Sequence, residues 1–396
     1  MIPRLKPPLG LHELLAAWSL LPRHSVARFE AAFAERMGQQ HAVAFPYGRT
    51  GLVALLKALG LYGKEIICPA YTCVVVPHAI VTSGNTPVFV DSESGGFNMD
   101  LGAAQAAVTD NTAAVIATSI FGYPVDLDAL AAFQAAHPQV TVIQDCAHSF
   151  DAAWQGRPVQ REGMAAIFGL NVSKLLCSIF GGMVSLDDKK LHEKLLQERE
   201  AMLSGPGLGK GLRRLAYVNA AWPAFWGPVY GLVNRLERSG RLNRHVQYYD
   251  EARIDMPADY LVAMTQVEAR VGLANLKRYP RTLRLRQEAA AHYFDHLESR
   301  PECVLPPQVQ GATYSHFTVL VDEREVLLEA ALDRGVQLGQ LIEYNIPEMS
   351  AYGSGPADVF PRSAGYSRRS VNLPVWGGEQ VAAKVLKRLE DLLPVR

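Results

Sequence analysis

Short apolar runs alternate with longer amphipathic stretches through the first half of this 396-residue chain. The short runs end in polar, Gly or Pro positions, a pattern typical of strands that are buried on both faces of a sheet. The longer stretches repeat apolar residues at helical spacing, and the alternation predicts an α/β fold whose mostly parallel sheet is sandwiched by helices. The predicted strands are EIICP (65–69), PVFVD (87–91), AAVIATS (113–119), VTVIQD (140–145), AAIFGL (165–170) and GMVSL (182–186), and the predicted helices cover 50–61, 74–84 and 126–137.

The pattern changes in the last third of the chain, where helices dominate. We predict one long helix at 264–279 and another at 281–299, followed by a strand at 315–322. Two further helices are predicted at 324–335, which ends in a Gly, and at 381–393. We therefore expect two domains: a large one over 1–282, and a smaller C-terminal α+β domain over 283–396.

Charge and cysteine content narrow the functional classes. Lys plus Arg and Asp plus Glu each number 39, so no bulk attraction to nucleic acid is expected. The N-terminal residues MIPRLKPPLGLHELL show no secretory pattern, and we expect a cytoplasmic protein. The cysteines are scattered without a CxxC pair, which favours reduced thiols over a disulfide framework or a metal site. They are Cys68, Cys73, Cys146, Cys177 and Cys303.

One uncharged apolar segment, residues 215–234, lies inside what we expect to be an insertion near 205–247. Its length approaches that of a membrane-spanning helix, but Pro223 and Pro228 would break or kink such a helix. Aromatic residues beside arginines are typical of helices that lie at a membrane surface, so peripheral membrane association is one interpretation. A buried helical excursion or a contact between subunits is the other. The aromatic residues are Trp222, Phe225, Trp226 and Tyr230.

The stretch PYGRTGLVALL (46–56) is the first of three candidate ligand-binding features, which fall at strand ends or in the turns beyond them. Backbone N–H groups at a helix N-terminus, together with a hydroxyl group, can cradle a phosphate, and Arg49 would add positive charge. The alternative is that Thr50 is an ordinary N-cap.

Asp145, at the end of VTVIQD, is the second feature. A carboxylate in this position can hold the protonated ring nitrogen of a cofactor, although acids are also common in the turns that follow strands. His148 is either a hydrogen-bonding partner or a core histidine.

Lys174 is the third feature, because it is the only charge in NVSKLLCSIFGGMV. Apolar surroundings lower the pKa of a lysine and make it a nucleophile toward carbonyl groups. The alternative is a lysine that extends to the surface.

Taken in this order, the three features match the needs of pyridoxal phosphate enzymes with the aspartate-aminotransferase-like fold (fold type I). The chain resembles the DegT/DnrJ/EryC1/StrS family of sugar aminotransferases over nearly its full length. The motifs that carry the resemblance are GRTGLVALLKALGL, CPAYTCVVVPHAIVTSGNTPVFVD, FGYPVDLDAL, IQDCAHSFDAAWQGRPV, SKLLCSIFGGMV, MTQVEARVGLANL and VNLPVWGG.

The resemblance implies roles around the cofactor ring. Lys174 would hold pyridoxal 5'-phosphate as an aldimine and then move a proton during the reaction. Asp145 would keep the pyridine nitrogen protonated, and His148 would lie near the phenolic oxygen. Ala147 would contact one ring face, and Cys73 occupies the position where the family usually stacks an aromatic residue on the other face.

The resemblance also implies how the cofactor's phosphate is held. Thr50 and Gly51 would donate backbone N–H groups to it, and Ser173, beside the lysine, is a further cofactor-binding candidate. Gly169 replaces the phosphate-binding serine of many members, and Arg49 could compensate for that loss.

Two other departures concern the neighbouring subunit's contribution and the substrate pocket. The neighbouring subunit's usual Asn and Arg correspond to Leu261 and Ala263, and the stretch between Lys174 and Met264 is longer than usual in the family. These differences affect the expected nucleotide-sugar pocket more than the cofactor.

The implied activity is transfer of an amino group, commonly from glutamate, to a nucleotide-linked keto-sugar for polysaccharide or secondary-metabolite biosynthesis. A homodimer with shared active sites is expected. Alternative substrates are a keto-cyclitol and a lipid-linked or otherwise hydrophobic ketone. A sugar dehydratase is disfavoured because dehydratases of the family replace the lysine by histidine. A non-catalytic regulatory protein that keeps the fold is a further alternative, and it is opposed by the presence of both Asp145 and Lys174.

Overall fold

In the computed structural model, a seven-stranded sheet forms the centre of the fold. The structure describes residues 1–21, 24–238, 249–353, 355 and 359–396. The strands that precede the long C-terminal helices are β1 (His41–Phe45), β2 (Glu65–Pro69), β3 (Thr86–Val90), β4 (Thr112–Thr118), β5 (Thr141–Asp145), β6 (Ala153–Trp154), β7 (Arg157–Pro158), β8 (Ala165–Gly169) and β9 (Gly182–Leu186).

The seven long strands lie in the order β1-β9-β8-β5-β4-β2-β3, while β6 and β7 form a separate hairpin. Strands β3, β2, β4, β5 and β8 are parallel to one another, whereas β9 is antiparallel to both β8 and β1. The mostly parallel mixed sheet is thus confirmed. Because β4, β5 and β8 are adjacent and parallel, their carboxyl ends meet at one edge, where Asp145 pairs with Thr118 and Ile167.

Helices cover both faces of this sheet. Alternate residues of each strand enter two different apolar clusters, as Val142 and Ile143 of β5 do, because successive side chains of a strand point to opposite faces. Helices α3, α4 and α7 pack on one face, and α2, α6 and the first half of α10 pack on the other. The helices as far as α10 are α1 (Leu11–Trp18), α2 (Ser25–Met37), α3 (Gly48–Ala58), α4 (Val75–Thr82), α5 (Leu101–Ala106), α6 (Leu127–Ala136), α7 (Lys189–Met202), α8 (Leu208–Ala224), α9 (Gly227–Arg238) and α10 (Gln266–His296).

The six predicted strands of the large sheet are all present, with ends that differ by at most one residue. The three predicted helices correspond to α3, α4 and α6. Strand β1 was not predicted, since its five residues, HAVAF, are too short and too rich in alanine to give a clear apolar run. It nevertheless completes the sheet by pairing with β9.

A second sheet forms the C-terminal part. Its three antiparallel strands lie in the order β10-β11-β12, and apolar residues of the second half of α10 pack in the same cluster as residues of this sheet. The elements after α10 are β10 (Cys303–Val304), β11 (Phe317–Val321), α11 (Arg324–Asp333), α12 (Pro361–Arg369), β12 (Ser370–Leu373) and α13 (Gly378–Arg388).

Helix α10 corrects the prediction of two separate helices in this region. It is one helix of 31 residues that continues through Pro280, and it begins with a capping box formed by Thr265 and Glu268. The helix packs into both large apolar clusters, through Leu276 in one and Tyr293 in the other. This packing offsets the hydrogen bond that Pro280 removes. The predicted division at 282/283 falls inside this continuous helix, and it stays a prediction.

The apolar segment at 215–234 forms the end of α8 and most of α9, and the chain turns near Phe225 between them. Among the helices in the described ranges, none is long and apolar enough to cross a bilayer. The last part of the predicted insertion, 239–247, lies outside the described residues.

Candidate active site

Asp145 ends strand β5 in the middle of the sheet, with only 3% of its surface exposed. The backbone N–H of Ala147 donates to its Oδ1 atom at 3.0 Å. Burial raises the pKa of Asp145, while the Ala147 N–H and the positive charge of Lys174 oppose that rise. A buried cationic partner strongly stabilises the ionised form of an acid in this setting.

Lys174 lies in the loop between β8 and β9, where its backbone N–H donates to the carbonyl of Asn171 at 3.0 Å. Burial lowers the pKa of the Lys174 ammonium, and the charges of Cys73 and Asp145 oppose that fall. The structure therefore brings together the two charges predicted to serve one ligand. The lowered pKa increases the neutral, nucleophilic fraction of the amine near neutral pH.

Gly169 and Ala147 lie beside the stem of Lys174. A Cβ atom built on Gly169 would be 3.4 Å from Lys174 Cε and 3.7 Å from Ala147 Cβ, both ordinary contacts. A serine at position 169 would thus fit, so the glycine is not imposed by lack of space at its Cβ. Ser173 is held in the same loop, because its N–H and its hydroxyl both donate to Asn171 Oδ1, at 2.9 and 2.6 Å.

His148 lies beside Phe121, in the loop that follows strand β5. Its Nδ1 atom accepts the backbone N–H of Phe121 at 3.3 Å, which leaves the ring proton on Nε2. The two rings are stacked at 6.0 Å with an interplanar angle of 10°. Burial lowers the pKa of His148 well below its ordinary value, and the charges of Lys174 and His316 add to that effect. His148 is therefore a neutral group that can donate one hydrogen bond from Nε2.

His316, from the C-terminal part of the chain, lies against both His148 and Phe121. Its ring centroid lies 5.7 Å from that of His148 and 5.7 Å from that of Phe121. Sequence analysis did not identify this residue. The signal was weak, since His316 is one polar residue directly before the apolar strand β11. It lies here because the segment before β11 hydrogen-bonds to the turn after β4, where the His316 N–H donates to the Phe121 carbonyl at 3.3 Å.

The predicted phosphate cradle is the first turn of α3, which begins at Gly48 with Tyr47 as its N-cap. Thr50 is therefore not the N-cap, and the alternative interpretation of this residue is wrong. Its hydroxyl donates to the carbonyl of Tyr260 at 3.1 Å. The Gly51 N–H donates to the Tyr47 carbonyl at 3.1 Å, so this group is already used inside the helix. Helix geometry gives no intrahelical acceptor to the N–H groups of the first turn, which precede Gly51, so these groups are candidate donors for an anion.

The backbone around Gly48 is closely packed. A Cβ atom on Gly182 would lie 2.2 Å from Gly48 N, and one on Gly48 would lie 3.0 Å from the carbonyl oxygen of Phe168. Strand β9 and the start of α3 can approach this closely because both positions are glycine. The cradle is thereby placed directly over the ends of β8 and β9.

Arg49 and Cys73 connect the cradle to Lys174. Arg49 Nη1 donates to the carbonyl of Asp255 at 3.2 Å, and burial lowers the pKa of the guanidinium while the Cys73 charge opposes that effect. Cys73 also acts to raise the pKa of Lys174, so it lies close to both cations. Asp145, Lys174, Cys73 and Arg49 thus follow one another around a single site.

The insertion is tied to the cradle by buried ion pairs. Arg214 of α8 binds Asp259 through Nη2 and Glu268 through Nε, both at 2.7 Å, and Tyr47 OH donates to Asp259 Oδ1 at 2.5 Å. Lys210 Nζ donates to the carbonyls at 262 and 263, at 2.6 and 3.1 Å. The segment in which Leu261 and Ala263 replace the family's Asn and Arg is therefore held by cations of α8.

Comparison with known proteins supports a common fold and ancestry. The spore coat polysaccharide biosynthesis protein SpsC of Bacillus subtilis (strain 168) is 29% identical over 368 residues, which cover 89% of this chain and 84% of SpsC. The GDP-perosamine synthase of Escherichia coli O157:H7 is 25% identical over 363 residues, covering 91% of this chain and 87% of that protein. The aminotransferase TlmJ from Streptoalloteichus hindustanus has the same fold, with a TM-score of 0.76 and 22% identity over 99% of this chain and 98% of its own.

A model of the DegT/DnrJ/EryC1/StrS aminotransferase family matches residues 11–388. This match covers both sheets and every candidate site residue named above. The resemblance carried by the sequence motifs is confirmed: the chain belongs to the DegT/DnrJ/EryC1/StrS aminotransferase family.

Proposed function

We propose that this aminotransferase moves an amino group from glutamate to a keto-sugar, with pyridoxal 5'-phosphate as its cofactor. The proposal rests on one observation. Four residues lie close together at the N-terminus of α3: Asp145, Lys174, Cys73 and Arg49. The relatives support the sugar acceptor, since one is named a GDP-perosamine synthase and another a polysaccharide biosynthesis protein.

The donor set fits the proposed cofactor. When bound, pyridoxal phosphate supplies an aldehyde that can carry an amino group and a ring that accepts an electron pair. Lys174 Nζ would bind that aldehyde covalently, and the Asp145 carboxylate would hold the ring nitrogen. The free N–H groups of α3 would bind the phosphate, with Arg49 nearby.

Three neighbouring side chains would orient the ring. His148 would donate its Nε2 proton to the phenolic oxygen, because its Nδ1 atom already accepts the Phe121 N–H. Ala147 and Cys73 would contact opposite ring faces. Cys73 is small and polarisable, so it would fill this position without the stacking that an aromatic ring provides.

Lys174 would act as the acid and base of the reaction. Its lowered pKa favours the neutral amine, which can accept a proton from the carbon that bears the transferred amino group and return it to the cofactor carbon. One amine in one position can serve both directions of the transfer. The same residue would therefore act on the glutamate donor and on the keto-sugar acceptor.

Arg49→Ala weakens cofactor binding by about 10- to 100-fold, because the variant loses a charge-assisted contact to the phosphate. The measurement is the dissociation constant of pyridoxal phosphate from absorption titration of the cofactor-free protein. Arg281→Ala, which removes an exposed arginine from α10, is the matched control and should leave that constant unchanged. An unchanged dissociation constant in Arg49→Ala would remove Arg49 from the phosphate site.

The choice of acceptor is tested by measuring 2-oxoglutarate released from glutamate in the presence of candidate ketones. We expect release with a nucleotide-linked keto-sugar and little with the free keto-sugar or a keto-cyclitol. Release only with a lipid-linked or hydrophobic ketone would instead support the alternative substrate class, which the exposed apolar residues of α8 and α9 favour. Release with none of them would contradict the proposed acceptor.

We propose further that the chain works in the cytoplasm as a homodimer whose subunits share active sites. Membership of the family supports this arrangement. Peripheral contact with a membrane through 215–234 is also proposed, because the exposed aromatic residues of this segment and the arginines that flank it suit a lipid surface.

A further inference from the structure

The exposed apolar side chains of the molecule are concentrated on two segments that are distant in sequence. Eleven of the 18 large apolar side chains that are exposed within the described residues belong to 11–21 and 208–232. They include residues that lie on one face of α1 and one face of α8, since their spacing is that of successive helical turns. The eleven are Leu11, Leu15, Trp18, Leu20, Leu21, Leu208, Leu212, Tyr217, Trp226, Val229 and Leu232.

The two segments adjoin each other in the structure. Trp18 Nε1 donates to Asn219 Oδ1 at 3.4 Å, and Ala17 of α1 packs in one apolar cluster with Val218 of α8. Their buried sides face α10, where Val267 and Val271 belong to the same cluster. The exposed sides of α1 and α8 therefore form one continuous surface, called here the α1–α8 face.

The segment between residues 203 and 236 contributes only positive charges to this face. No Asp or Glu occurs between residues 203 and 236. Arg213 and Arg235 are exposed, and neither makes an ion pair with an acid in the part of the chain that the structure describes. The single acid of α1, Glu13, is fully buried and paired with Arg278 at 2.7 Å. The face thus combines exposed Leu and Trp side chains with uncompensated arginines.

This combination distinguishes between two possible occupants. A second copy related by a two-fold axis would present the same surface, which offers no acid between residues 203 and 236 to pair with these arginines. An anionic bilayer offers an apolar interior for the leucines, an interfacial layer for Trp18 and Trp226, and phosphates for the arginines.

We propose that the α1–α8 face docks on an anionic lipid surface, with α1 and α8 lying in the interface plane. This surface extends beyond the apolar segment to α1, and the inference is independent of the acceptor sugar. The docked helix α8 also carries Arg214, which reaches Tyr47 at the start of α3 through Asp259. The lipid surface would consequently hold the site close to membrane-bound substrates.

Co-sedimentation of the full-length holoenzyme with lipid vesicles tests the proposal. We expect binding to vesicles of phosphatidylcholine mixed with phosphatidylglycerol, weak binding to phosphatidylcholine alone, and a shift of tryptophan emission to shorter wavelength on binding. The double variant Leu15→Glu/Leu212→Glu should bind at least about 10-fold more weakly, because it places two charges in the apolar layer. Arg213→Gln and Arg235→Gln should each weaken vesicle binding about fivefold and make that binding less dependent on salt concentration.

Val326→Glu is the matched control, since Val326 is 61% exposed on α11, as Leu15 is 61% exposed on α1. It should bind vesicles as the wild type does. Light scattering and circular dichroism check that the variants keep the mass and helix content of the wild type. Absence of wild-type binding to anionic vesicles would overturn the proposal. If the leucine double variant also halves the molecular mass, the face is instead a contact between two copies of the chain.

Discussion

Lys174→Ala lowers turnover by at least about 10⁴-fold, because the variant lacks the amine that binds the cofactor aldehyde and moves the proton. Arg49, the other cation at this site, is a guanidinium whose Nη1 is engaged with the Asp255 carbonyl, so it does not replace the amine. The measurement is the rate of 2-oxoglutarate release, together with the mass of the protein after borohydride reduction. The wild type should gain the mass of the cofactor, and the variant should not.

The control for this substitution is Lys189→Ala, since Lys189 is an exposed lysine at the start of α7, paired only with Glu193 on the same helix. It should keep wild-type turnover and covalent labelling. If Lys174→Ala retained turnover within tenfold of the wild type, the assignment of the acid and base to this residue would be refuted.

Asp145→Asn lowers turnover by about 10³-fold, a loss expected when a buried group loses its charge opposite a developing charge. The neutral amide has the shape of the carboxylate but cannot stabilise a protonated ring nitrogen. The measurement is the turnover number at saturating glutamate and acceptor. Asp110→Asn, at an exposed position, is the matched control and should leave turnover unchanged.

The same substitution separates a functional role from a structural one through its effect on stability. Burial raises the pKa of Asp145 in the folded protein above that in the unfolded chain. For a raised pKa, stability is fully present below the unfolded value and is lost as pH rises through the folded value. The cofactor-free Asp145→Asn variant should therefore melt at a higher temperature than the wild type at neutral pH. Lower stability together with lower activity would mean that Asp145 has a structural role.

The central sheet, and the edge of it where the candidate site lies, could be predicted from the sequence because each strand is marked by its own residues. Each buried strand is a short apolar run, and Asp145 and Lys174 interrupt such runs with a charge. The parallel order of the strands then places their ends together, which brought the two residues to one site as expected. The order of the motifs carried the family assignment, which the family match confirms.

The parts that could not be predicted depend on contacts between distant segments. His316 reaches the site because the segment before β11 hydrogen-bonds to the turn at Phe121 and Gly122, and its neighbouring sequence carries no signal of that contact. The Gly51 N–H was predicted to be a phosphate donor, but the exact start of α3 at Gly48 gives it an intrahelical acceptor. Helix α10 continues through Pro280 because packing on both sides overrides the local preference to end there.

The most direct test of the account is the visible absorption spectrum of the purified protein, recorded before and after addition of L-glutamate. We expect a yellow band from the covalently bound cofactor, a loss of that band with glutamate, and its return when a nucleotide-linked keto-sugar is added. A protein that stays colourless with added pyridoxal phosphate would contradict the account, because Lys174, Asp145 and the start of α3 would then not form a working cofactor site.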